Sequence, residues 1–396
     1  MRDKFDIVIS GGGIAGMTAA AAFGTQGFNV LCVDPAPPII DEAASGSDLR
    51  STAFLQPSIS VLEKAGLWER FEPYAMPLQV MRIVDAGGET PEPRVSHDFD
   101  ASDISEKPFG WNLPNWLLKR ECAARLSDLR NVTFRPGIGT TRLTTRETAA
   151  IIGLSDGTQV EATLLIAADG RNSPMREALG IGVRTTRFGQ KALAFAVSHP
   201  VPHDNVSTEI HRSGGPFTFV PLPDRDGQPC SAIVWMERGQ EAKRLLELPV
   251  EAFEAEMNIR SCGLLGPLKL VSRRTIWPII SQIAERLYGE RTALMAEAAH
   301  VVPPIGAQGL NMSLADLTAL LELTATHPLG SRQMLAAYER RRYPDVAMRV
   351  AGVGVLNRAS MISAQPLRDA RARVLDMLYS ASPVRRALMQ MGIGVR

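Results

Sequence analysis

The chain has 396 residues, 45% of them hydrophobic, and carries a formal net charge of +1 at pH 7. This length and apolar content allow two domains, or one large two-part fold, and exclude a disordered chain. A net charge so close to zero gives no reason to expect a nucleic-acid partner. No run of about 18 uncharged apolar residues occurs, and the N-terminal segment lacks the apolar core of a signal peptide. We therefore expect neither a membrane-spanning helix nor a secreted chain.

Four cysteines stand at widely separated positions, without a C-x-x-C spacing or paired histidines. This pattern argues against a metal site and against a disulfide framework, and it fits reduced thiols in a cytoplasm. Cys32 lies in an apolar run and is expected to be a core residue rather than a reactive thiol. We therefore predict no metal ligands and a cytoplasmic location.

The N-terminal segment predicts a strand–turn–helix–strand unit. FDIVIS (residues 5–10) is typical of a short buried strand, and GGGIAG (11–16) of a tight turn. The alanine-rich run Met17–Phe23 favours a helix, and FNVLCVD (28–34) favours a second strand that ends on an acid. This order is the one in which a glycine-rich turn binds a dinucleotide.

Each glycine of this turn has its own predicted role. The first permits the tight turn, the second lets a pyrophosphate approach the backbone, and the third lets the helix pack closely on the strand. The helix N-terminus offers free N–H groups to phosphates, and the acid that closes the second strand suits ribose hydroxyls. The residues predicted to contact an adenine dinucleotide are Gly11, Gly13, Ile14, Ala15, Gly16 and Asp34. This unit alone leaves NAD and FAD as alternatives.

The next segment predicts two helices and a hairpin. Arg50 precedes an amphipathic helix, and a second helix begins at Asn115, its predicted N-cap. A hairpin turns at Asp156-Gly157, and its second strand runs into Asp169-Gly170.

From about residue 182 to residue 280, alternating β-rich runs predict an antiparallel sheet interrupted by one helix near 249–257. The predicted strands are 192–199, 206–212, 217–223 and 230–237. Phe219 and Pro221 are candidates for the wall of a ligand pocket. They are equally good candidates for the core of the sheet.

The segment LMAEAAHVVPPIGAQGLNMSLADLTALL (294–321) places a rigid Pro-Pro-Gly loop directly before a helix that is predicted to open near Asn311. We expect His300 to be a structural, hydrogen-bonded residue rather than a general base. From Tyr338 onward the chain carries 11 arginines and four acidic residues, a net charge of +7, so the rest carries −6. The tail from Gln365 predicts two amphipathic helices joined at Pro383. It either lies on anionic lipid or packs on its own core or a partner subunit.

Three motifs together resemble the single-component flavoprotein aromatic hydroxylases, the group that includes para-hydroxybenzoate hydroxylase. They are GGGIAG (11–16), DGRNSPMR (169–176), which is similar to the family's D-G-x-x-S-x-x-R, and the segment 296–311, which is similar to its G-D-A-A-H-x-x-P-P-x-x-G-x-G-L-N. Three further segments most resemble the UbiH/UbiF-type ubiquinone-biosynthesis hydroxylases. They are NLPNWLL (112–118), YERRR (338–342) and the tail with PVRRALMQMGIG (383–394).

The resemblance implies an α/β fold. Its parts are an FAD-binding Rossmann-like domain of the glutathione-reductase type, an inserted antiparallel β-sheet substrate domain and a C-terminal helical segment. The implied division is 1–74, 99–180 and 281–345 for the FAD-binding domain, 75–98 and 181–280 for the substrate-binding domain, and 346–396 for the tail.

The resemblance also implies FAD as the bound cofactor and NAD(P)H as a transient reductant, with the Pro-Pro-Gly loop along the flavin. The family's Gly-Asp reads Ala296-Glu297 here. Either Glu297 still binds the ribityl chain with the backbone slightly withdrawn, or FAD is held less tightly. Asn115 replaces a more usual Arg or Gln. The implied contacts are Arg50, Asn115, Asp169, Gly170, Glu297, Pro304, Gly309, Leu310 and Asn311, and Pro304 is also a pocket candidate.

In such enzymes NAD(P)H reduces FAD, O2 adds to give a flavin C4a-hydroperoxide, and oxygen passes to a phenol ring. The resemblance therefore implies a monooxygenase that hydroxylates a polyprenylated phenol in ubiquinone biosynthesis, without a catalytic acid–base dyad, nucleophile or metal. A polyprenyl substrate would suit peripheral contact with the inner face of a membrane. A homo-oligomer and a biosynthetic complex are both compatible with the sequence. The alternatives are a hydroxylase of a small soluble phenol and a flavin- or quinone-binding component without turnover of its own.

Overall fold

The computed structural model describes residues 2–394. Within this range the strands are β1 (Asp3–Ser10), β2 (Val30–Asp34), β3 (Ser51–Leu55), β4 (Met76–Leu78), β5 (Val80–Asp85), β6 (Val95–Asp100), β7 (Gly110–Pro114), β8 (Val132–Pro136), β9 (Thr140–Thr145), β10 (Ala150–Leu154), β11 (Gln159–Ala167), β12 (Val183–Ser198), β13 (Val206–His211), β14 (Pro216–Arg225), β15 (Gln228–Arg238), β16 (Lys269–Leu270), β17 (Thr275–Ala284), β18 (Tyr288–Gly289), β19 (Thr292–Leu294) and β20 (His300–Val301). The helices are α1 (Ile14–Thr25), α2 (Gln56–Lys64), α3 (Trp68–Phe71), α4 (Asn115–Asp128), α5 (Pro174–Ala178), α6 (Gly239–Glu247), α7 (Val250–Arg260), α8 (Gln308–Thr324), α9 (Arg332–Ser360), α10 (Gln365–Ser380) and α11 (Ser382–Ile393). The predicted domain division also includes Met1, Val395 and Arg396, which lie outside the described residues.

The first sheet has the strand order β18-β19-β11-β1-β2-β8. Strand β1 pairs in parallel with β2 and β11, and β8 and β19 extend the parallel set. Ile7–Ile9 and Val30–Val33 have no exposed surface, as expected for parallel strands covered on both faces. Helix α1 is buried from Ala15 to Gly24. The predicted strand–turn–helix–strand unit is therefore confirmed.

The predicted hairpin is also present. Strand β10 pairs antiparallel with β11, and the turn between them contains Gly157 at φ +85°. Asp156 accepts a hydrogen bond from the N–H of Thr158 at 2.9 Å, which fixes this turn. Strand β11 then continues into the middle of the first sheet and ends at Ala167, two residues before Asp169.

The second sheet has the order β20-β17-β12-β15-β14-β13-β5-β6. It contains all four strands predicted between residues 192 and 237, and β5 joins it in parallel with β13. Two helices, α6 and α7, follow β15 where one was predicted. Helix α6 was missed although its buried residues, Ala242 and Leu245, have the i, i+3 spacing of an amphipathic helix.

The two faces of the second sheet differ in what covers them. One face packs under α6 and α7 through Leu193, Phe195, Phe217, Phe219, Trp235, Phe253 and Met257. The other face packs against the Pro-Pro loop and α9 through Ala192, Val234, Met236, Trp277, Ile279, Val302, Ile305 and Val353. We call this second surface the loop-facing side of the sheet.

Helix α9 runs without a break across the predicted tail boundary at residue 346. Asp345 accepts from Arg342 at 2.8 Å and from Arg349 at 3.0 Å, so ion pairs span the turn that contains Pro344. These contacts hold the helix together where a proline would otherwise favour a break. Helix α9 ends at Ser360, and α10 and α11 meet at Pro383 as predicted.

Helices α10 and α11 pack on the body of the protein at the edge of the second sheet. Arg371 binds Asp85 at 2.7 Å, and Arg385 binds Asp103 at 3.1 Å. Met389 and Ile393 are buried in a cluster with Leu55, Ala101 and Phe109. The outer side of the two helices exposes large apolar residues, namely Leu367, Val374, Met377, Val384, Leu388 and Met391. The contacts of the inner side thus agree with the interpretation that the tail packs on its own core. The apolar residues of the outer side are exposed.

No helix within residues 2–394 has both the length and the apolar character needed to cross a membrane. The same residues contain no group of three or more His, Cys, Asp or Glu side chains placed to hold a metal ion. The four cysteines are free thiols, and Cys32 has no exposed surface, so its predicted place in the core is confirmed. Burial also raises the pKa of the Cys122 thiol to about 12, which leaves it unreactive.

Candidate cofactor site and active site

The glycine-rich turn between β1 and α1 has the backbone geometry that only glycine allows. Gly11 has φ +109°, and a Cβ there would lie 2.3 Å from the carbonyl oxygen of Ala168. A Cβ on Gly16 would lie 1.9 Å from the carbonyl oxygen of Gly11. Gly13 caps α1 without a side-chain hydrogen bond, and a Cβ there would have no protein atom within 4 Å. The N–H groups of the first turn therefore face open space, where an anion binds well.

Asp34, the predicted ribose-binding acid, lies against this turn. Its carboxylate accepts from the N–H of Gly12 at 2.6 Å and from the N–H of Ala36 at 2.8 Å. Each carboxylate oxygen can accept more than one hydrogen bond, so both keep capacity for sugar hydroxyls. The two backbone contacts hold the side chain at the C-terminal end of β2.

Arg50 and Asn115 lie together, and Asp48 joins them. Arg50 binds both oxygens of Asp48, at 2.8 and 2.7 Å, and Asn115 donates to Asp48 at 3.0 Å. Asn115 also accepts from Thr52 at 2.7 Å, and it is the first residue of α4 after the N-cap Pro114, not the N-cap itself. Burial acts to raise the pKa of Asp48, but the hydrogen bonds and charge of Arg50, together with the hydrogen bond from Asn115 and the charge of Lys119, outweigh it and the pKa is lowered. Sequence reasoning missed Asp48, although an acid two residues before Arg50 was a usable signal.

Asp169 follows β11, the strand that pairs with β1 on the side away from β2 and Asp34. Its Oδ2 accepts from Ser10 and from the N–H of Met175, both at 3.3 Å. Its Oδ1 is buried and has no hydrogen-bond partner among the described residues. Burial raises the pKa of this carboxyl group. Gly170 follows at φ +84°, and a Cβ there would meet no protein atom within 4 Å.

Glu297 and Ala296 stand where the family motif has Asp and Gly. Ala296 has φ +55°, a left-handed conformation that favours glycine. The Glu297 side chain is half exposed, and its nearest cation is Arg171 at 3.6 Å. The pKa of Arg50 is raised, first by its hydrogen bond to Asp48 and further by the charges of Asp48 and Glu297. Glu297 is therefore within electrostatic reach of Arg50.

The Pro-Pro loop ends in a second strained alanine. Ala307 has φ +55° and caps α8, which begins at Gln308 and not near Asn311 as predicted. A Cβ on Gly309 would have no protein atom within 4 Å, so the first turn of α8 faces open space. The Asn311 side chain accepts from the N–H of Leu55 at 2.9 Å and donates to the carbonyl oxygen of Ala53 at 2.7 Å. Asn311 thus ties the start of α8, including Leu310, to β3.

A buried ionic cluster joins the residue before this loop, His300, to α8 and α9. Asp316 on α8 contacts His300 at 2.6 Å and Arg342 on α9 at 2.7 Å. Arg342 belongs to the YERRR segment, whose Tyr338 donates to the carbonyl oxygen of Leu294 at 2.8 Å. His300 is buried and hydrogen-bonded, so its predicted structural role is confirmed. Asp316 was missed because its sequence neighbourhood looks like an ordinary amphipathic helix.

Of the three pocket candidates, Phe219 is packed in the core. It is 1% exposed and lies on the side of the second sheet that α6 and α7 cover. Side chains alternate along a strand, so Thr218 and Val220 point to the loop-facing side and are partly exposed. Pro221 is buried, and its carbonyl oxygen accepts from Asn112 at 2.9 Å. The core interpretation of Phe219 is thus correct.

The geometry of these groups fits FAD. A Cβ at Gly13 or Gly309 would meet no protein atom within 4 Å, so there is space beside the first turns of α1 and α8, and Oδ1 of Asp169 is buried without a hydrogen-bond partner among the described residues. A buried carboxylate oxygen without a partner is uncommon in a folded protein, and a ribityl hydroxyl would satisfy it. An extended dinucleotide suits such a row of polar groups.

Comparison with known proteins agrees with this geometry. A family model described as FAD binding domain matches residues 4–352. Ubiquinone hydroxylase UbiL of Rhodospirillum rubrum is 33% identical over 396 residues, which cover 98% of this chain and 89% of the relative. The 3-demethoxyubiquinol 3-hydroxylase of Escherichia coli is 25% identical, with 98% of each protein covered.

Among solved structures, PqsL from Pseudomonas aeruginosa, described as a probable FAD-dependent monooxygenase, superposes with a TM-score of 0.78. The match covers 93% of this chain and 99% of PqsL at 20% identity, so it shows a shared fold. The predicted fold class and the FAD cofactor are thus confirmed. The chain belongs to the FAD binding domain family, as an FAD-dependent monooxygenase of the UbiH/UbiF type.

Proposed function

We propose that this protein hydroxylates the aromatic ring of a polyprenylated phenol in ubiquinone biosynthesis, with NAD(P)H as reductant and O2 as oxygen donor. The observation that carries the proposal is the row of polar groups from the glycine turn to the Pro-Pro loop. It occurs in a chain that aligns over nearly its whole length with ubiquinone hydroxylases. FAD supplies the redox and oxygen-transfer chemistry when bound. The protein holds the cofactor, orients the ring and excludes water.

We assign the parts of the cofactor to the groove in order. The first turn of α1 holds the pyrophosphate, Asp34 the adenosine ribose, and Asp169 and Glu297 the ribityl hydroxyls. The first turn of α8 places N–H groups and a positive dipole end at the flavin pyrimidine edge, where negative charge develops on reduction. The proposed set is Gly11, Gly13, Ile14, Ala15, Gly16, Asp34, Arg50, Asn115, Asp169, Gly170, Glu297, Pro304, Gly309, Leu310 and Asn311.

The Gly13→Ala variant tests this placement directly. Gly13 has an ordinary extended backbone with φ −68°, and the protein has room for the added methyl group, so the fold should be unaffected. The methyl group would occupy the space assigned to the pyrophosphate, and we expect FAD to bind at least tenfold more weakly in a calorimetric titration. Gly352→Ala in α9 is the matched control, because a Cβ there also meets no protein atom within 4 Å. Equal FAD affinity in both variants would contradict the assignment.

We place the substrate between the second sheet and the Pro-Pro loop. Residues 75–98 and 181–280 form the substrate-binding part, and we extend it to Asp100 and Ala284, where β6 and β17 end. Thr218, Val220 and Pro304 are the proposed wall, because the first two face the loop and the third stiffens it. The remaining body residues form the FAD-binding part.

The outer side of the tail is the proposed contact with an anionic lipid surface, at the inner face of a cytoplasmic membrane. Met377 is 64% exposed, Leu367 and Met391 are each 56% exposed, and the tail from Gln365 carries six arginines against two aspartates. An apolar surface flanked by arginines gains from both the interfacial region and the negative headgroups. Contact with lipid would bring the site to a substrate that resides there.

Vesicle sedimentation tests the lipid contact. We expect the protein to bind phosphatidylglycerol vesicles, to bind phosphatidylcholine vesicles less, and to lose binding at high salt. Met377→Glu should weaken binding, whereas Ile259→Glu, at a residue that is 53% exposed on α7, should not. Equal loss in both variants, or a stable dimer that buries the tail and no vesicle binding, would count against the proposal.

The activity is tested with FAD-loaded protein, NADH or NADPH, and a short-chain prenylated phenol. We expect the phenol to accelerate nicotinamide oxidation and to gain one oxygen atom by mass spectrometry, with label from 18O2. Oxidation that the phenol does not change, with no oxygenated product, would refute the proposed function.

A further inference from the structure

The second sheet carries a carboxylate–imidazole pair on its loop-facing side. Glu209 and His211 lie two residues apart on β13, so their side chains share one face. The Nε2 atom of His211 lies 2.7 Å from Oε1 of Glu209, and the two side chains are 17% and 12% exposed, respectively. The Nδ1 atom of His211 is buried and has no hydrogen-bond partner among the described residues.

The strand register shows which way this pair points. Residues directly opposite on neighbouring strands share a face, and Glu209 is opposite Thr218, which is opposite Val234. Val234 packs in the cluster that contains Ile305 of the Pro-Pro loop. Glu209 therefore lies two strands from a residue on that cluster, at about 4.8 Å per strand step.

The register with β5, on the other side of β13, also indicates that Glu209 points to the loop-facing side. Ser207 shares the face of Glu209 and pairs with Met81 on β5. Met81 packs in the same apolar cluster as Ala307, the N-cap of α8, and as Met389 of α11. Glu209 is thus flanked on both sides by strands that carry residues packed with the Pro-Pro loop, and His211 lies one pair further along, opposite Pro216 and Asp85.

The arginines near the pair bind Asp85 rather than the carboxylate of Glu209. Asp85, opposite His211 on β5, is itself bound by Arg94 and Arg371, each at 2.7 Å. Among the described residues, His211 is the ion-pair partner of Glu209, with no lysine or arginine within 4.0 Å. One carboxylate oxygen of Glu209 therefore remains available to a ligand.

We propose that Glu209 and His211 bind the ring hydroxyl of the substrate and accept its proton, and that Glu209 excludes rings that carry a carboxylate. This inference rests on the proposed function. The phenolic O–H bond breaks, the proton passes to Glu209 or through it to His211, and the electron pair stays on the phenolate oxygen. The phenolate ring is more electron-rich and accepts oxygen more readily. A ring carboxylate would face a fixed negative charge, which disfavours it against the neutral phenol.

Calorimetric titration of FAD-loaded protein with two ligands tests the selectivity. The ligands are 2-allylphenol and 3-allyl-4-hydroxybenzoate, which differ by one ring carboxylate. We expect the wild type to bind the phenol at least tenfold more tightly. Glu209→Gln should lower that ratio at least tenfold, Glu209→Asp should preserve most of it, and Glu241→Gln on exposed α6 is the matched control. Equal affinities in the wild type, or an unchanged ratio in Glu209→Gln, would overturn the inference.

A second measurement tests the proton role. For each variant that retains FAD, we compare oxygenated product with nicotinamide consumed. Glu209→Gln and His211→Gln should each reduce product per nicotinamide at least fivefold, with hydrogen peroxide formed instead. Normal coupling in both variants would overturn the proton role. A wild type that discriminates the two ligands but oxygenates neither would refute the proposed function and leave the selectivity supported.

Discussion

Replacing Asp316 with alanine should destabilise the protein by about 3 kcal/mol. Asp316 has no exposed surface and lies between His300 and Arg342, at 2.6 and 2.7 Å. Removing one partner of a buried ion pair costs about 3–5 kcal/mol, because the remaining charge stays buried. Arg342 keeps its contact with Asp345 at 2.8 Å, so the lower end of that range applies.

The same two helices supply a matched control. Glu322 on α8 binds Arg341 on α9 at 2.5 Å, but both side chains are 49% exposed. An exposed pair contributes about 0–1 kcal/mol, so Glu322→Ala should have little effect. Reversible urea unfolding of the apoprotein, followed by circular dichroism, measures both variants. An exposed pair contributes at most about 1 kcal/mol. If the free energies of unfolding of Asp316→Ala and Glu322→Ala differ by less than about that amount, the argument from burial is wrong.

Two further predictions follow from backbone strain and from carboxylate pKa values. Ala296→Gly should stabilise the protein by up to about 1 kcal/mol in urea unfolding. The left-handed conformation costs alanine about 1–2 kcal/mol, and the larger chain entropy that glycine loses on folding offsets about half of that. A net loss of stability would contradict this prediction. Burial acts to raise the pKa of Asp316, but the charges of His300 and Arg342 outweigh it and lower the pKa. Burial also acts to raise the pKa of Asp85, and Arg94 and Arg371 outweigh it and lower that pKa. A depressed folded-state pKa stabilises the fold above the unfolded value of about 3.9 and loses that effect as pH falls through the folded value. The melting temperature should therefore fall steeply below about pH 4, and in Asp316→Asn this acid-dependent fall should be smaller.

The sequence by itself determined the parts of the protein whose signal is local. The glycine turn, the hairpin at Asp156-Gly157 and the four strands of the second sheet between residues 192 and 237 were predicted, because turn chemistry and strand periodicity involve residues close together in the chain. The resemblance then located the Pro-Pro loop and the FAD-binding family. The helix start at Gln308 was missed, since its N-cap is a left-handed alanine rather than a polar residue.

The tertiary structure decided which face of each strand meets the site and which distant charges meet each other. In the sequence Phe219 was an equally good candidate for a pocket wall and for the core of the sheet. Helices α6 and α7 cover its side of the sheet and leave Thr218 and Glu209 on the other. Asp316 and Arg342 are 26 residues apart, and their contact depends on how α8 packs on α9. Such pairings cost chain entropy that only long-range packing recovers, so no short segment encodes them.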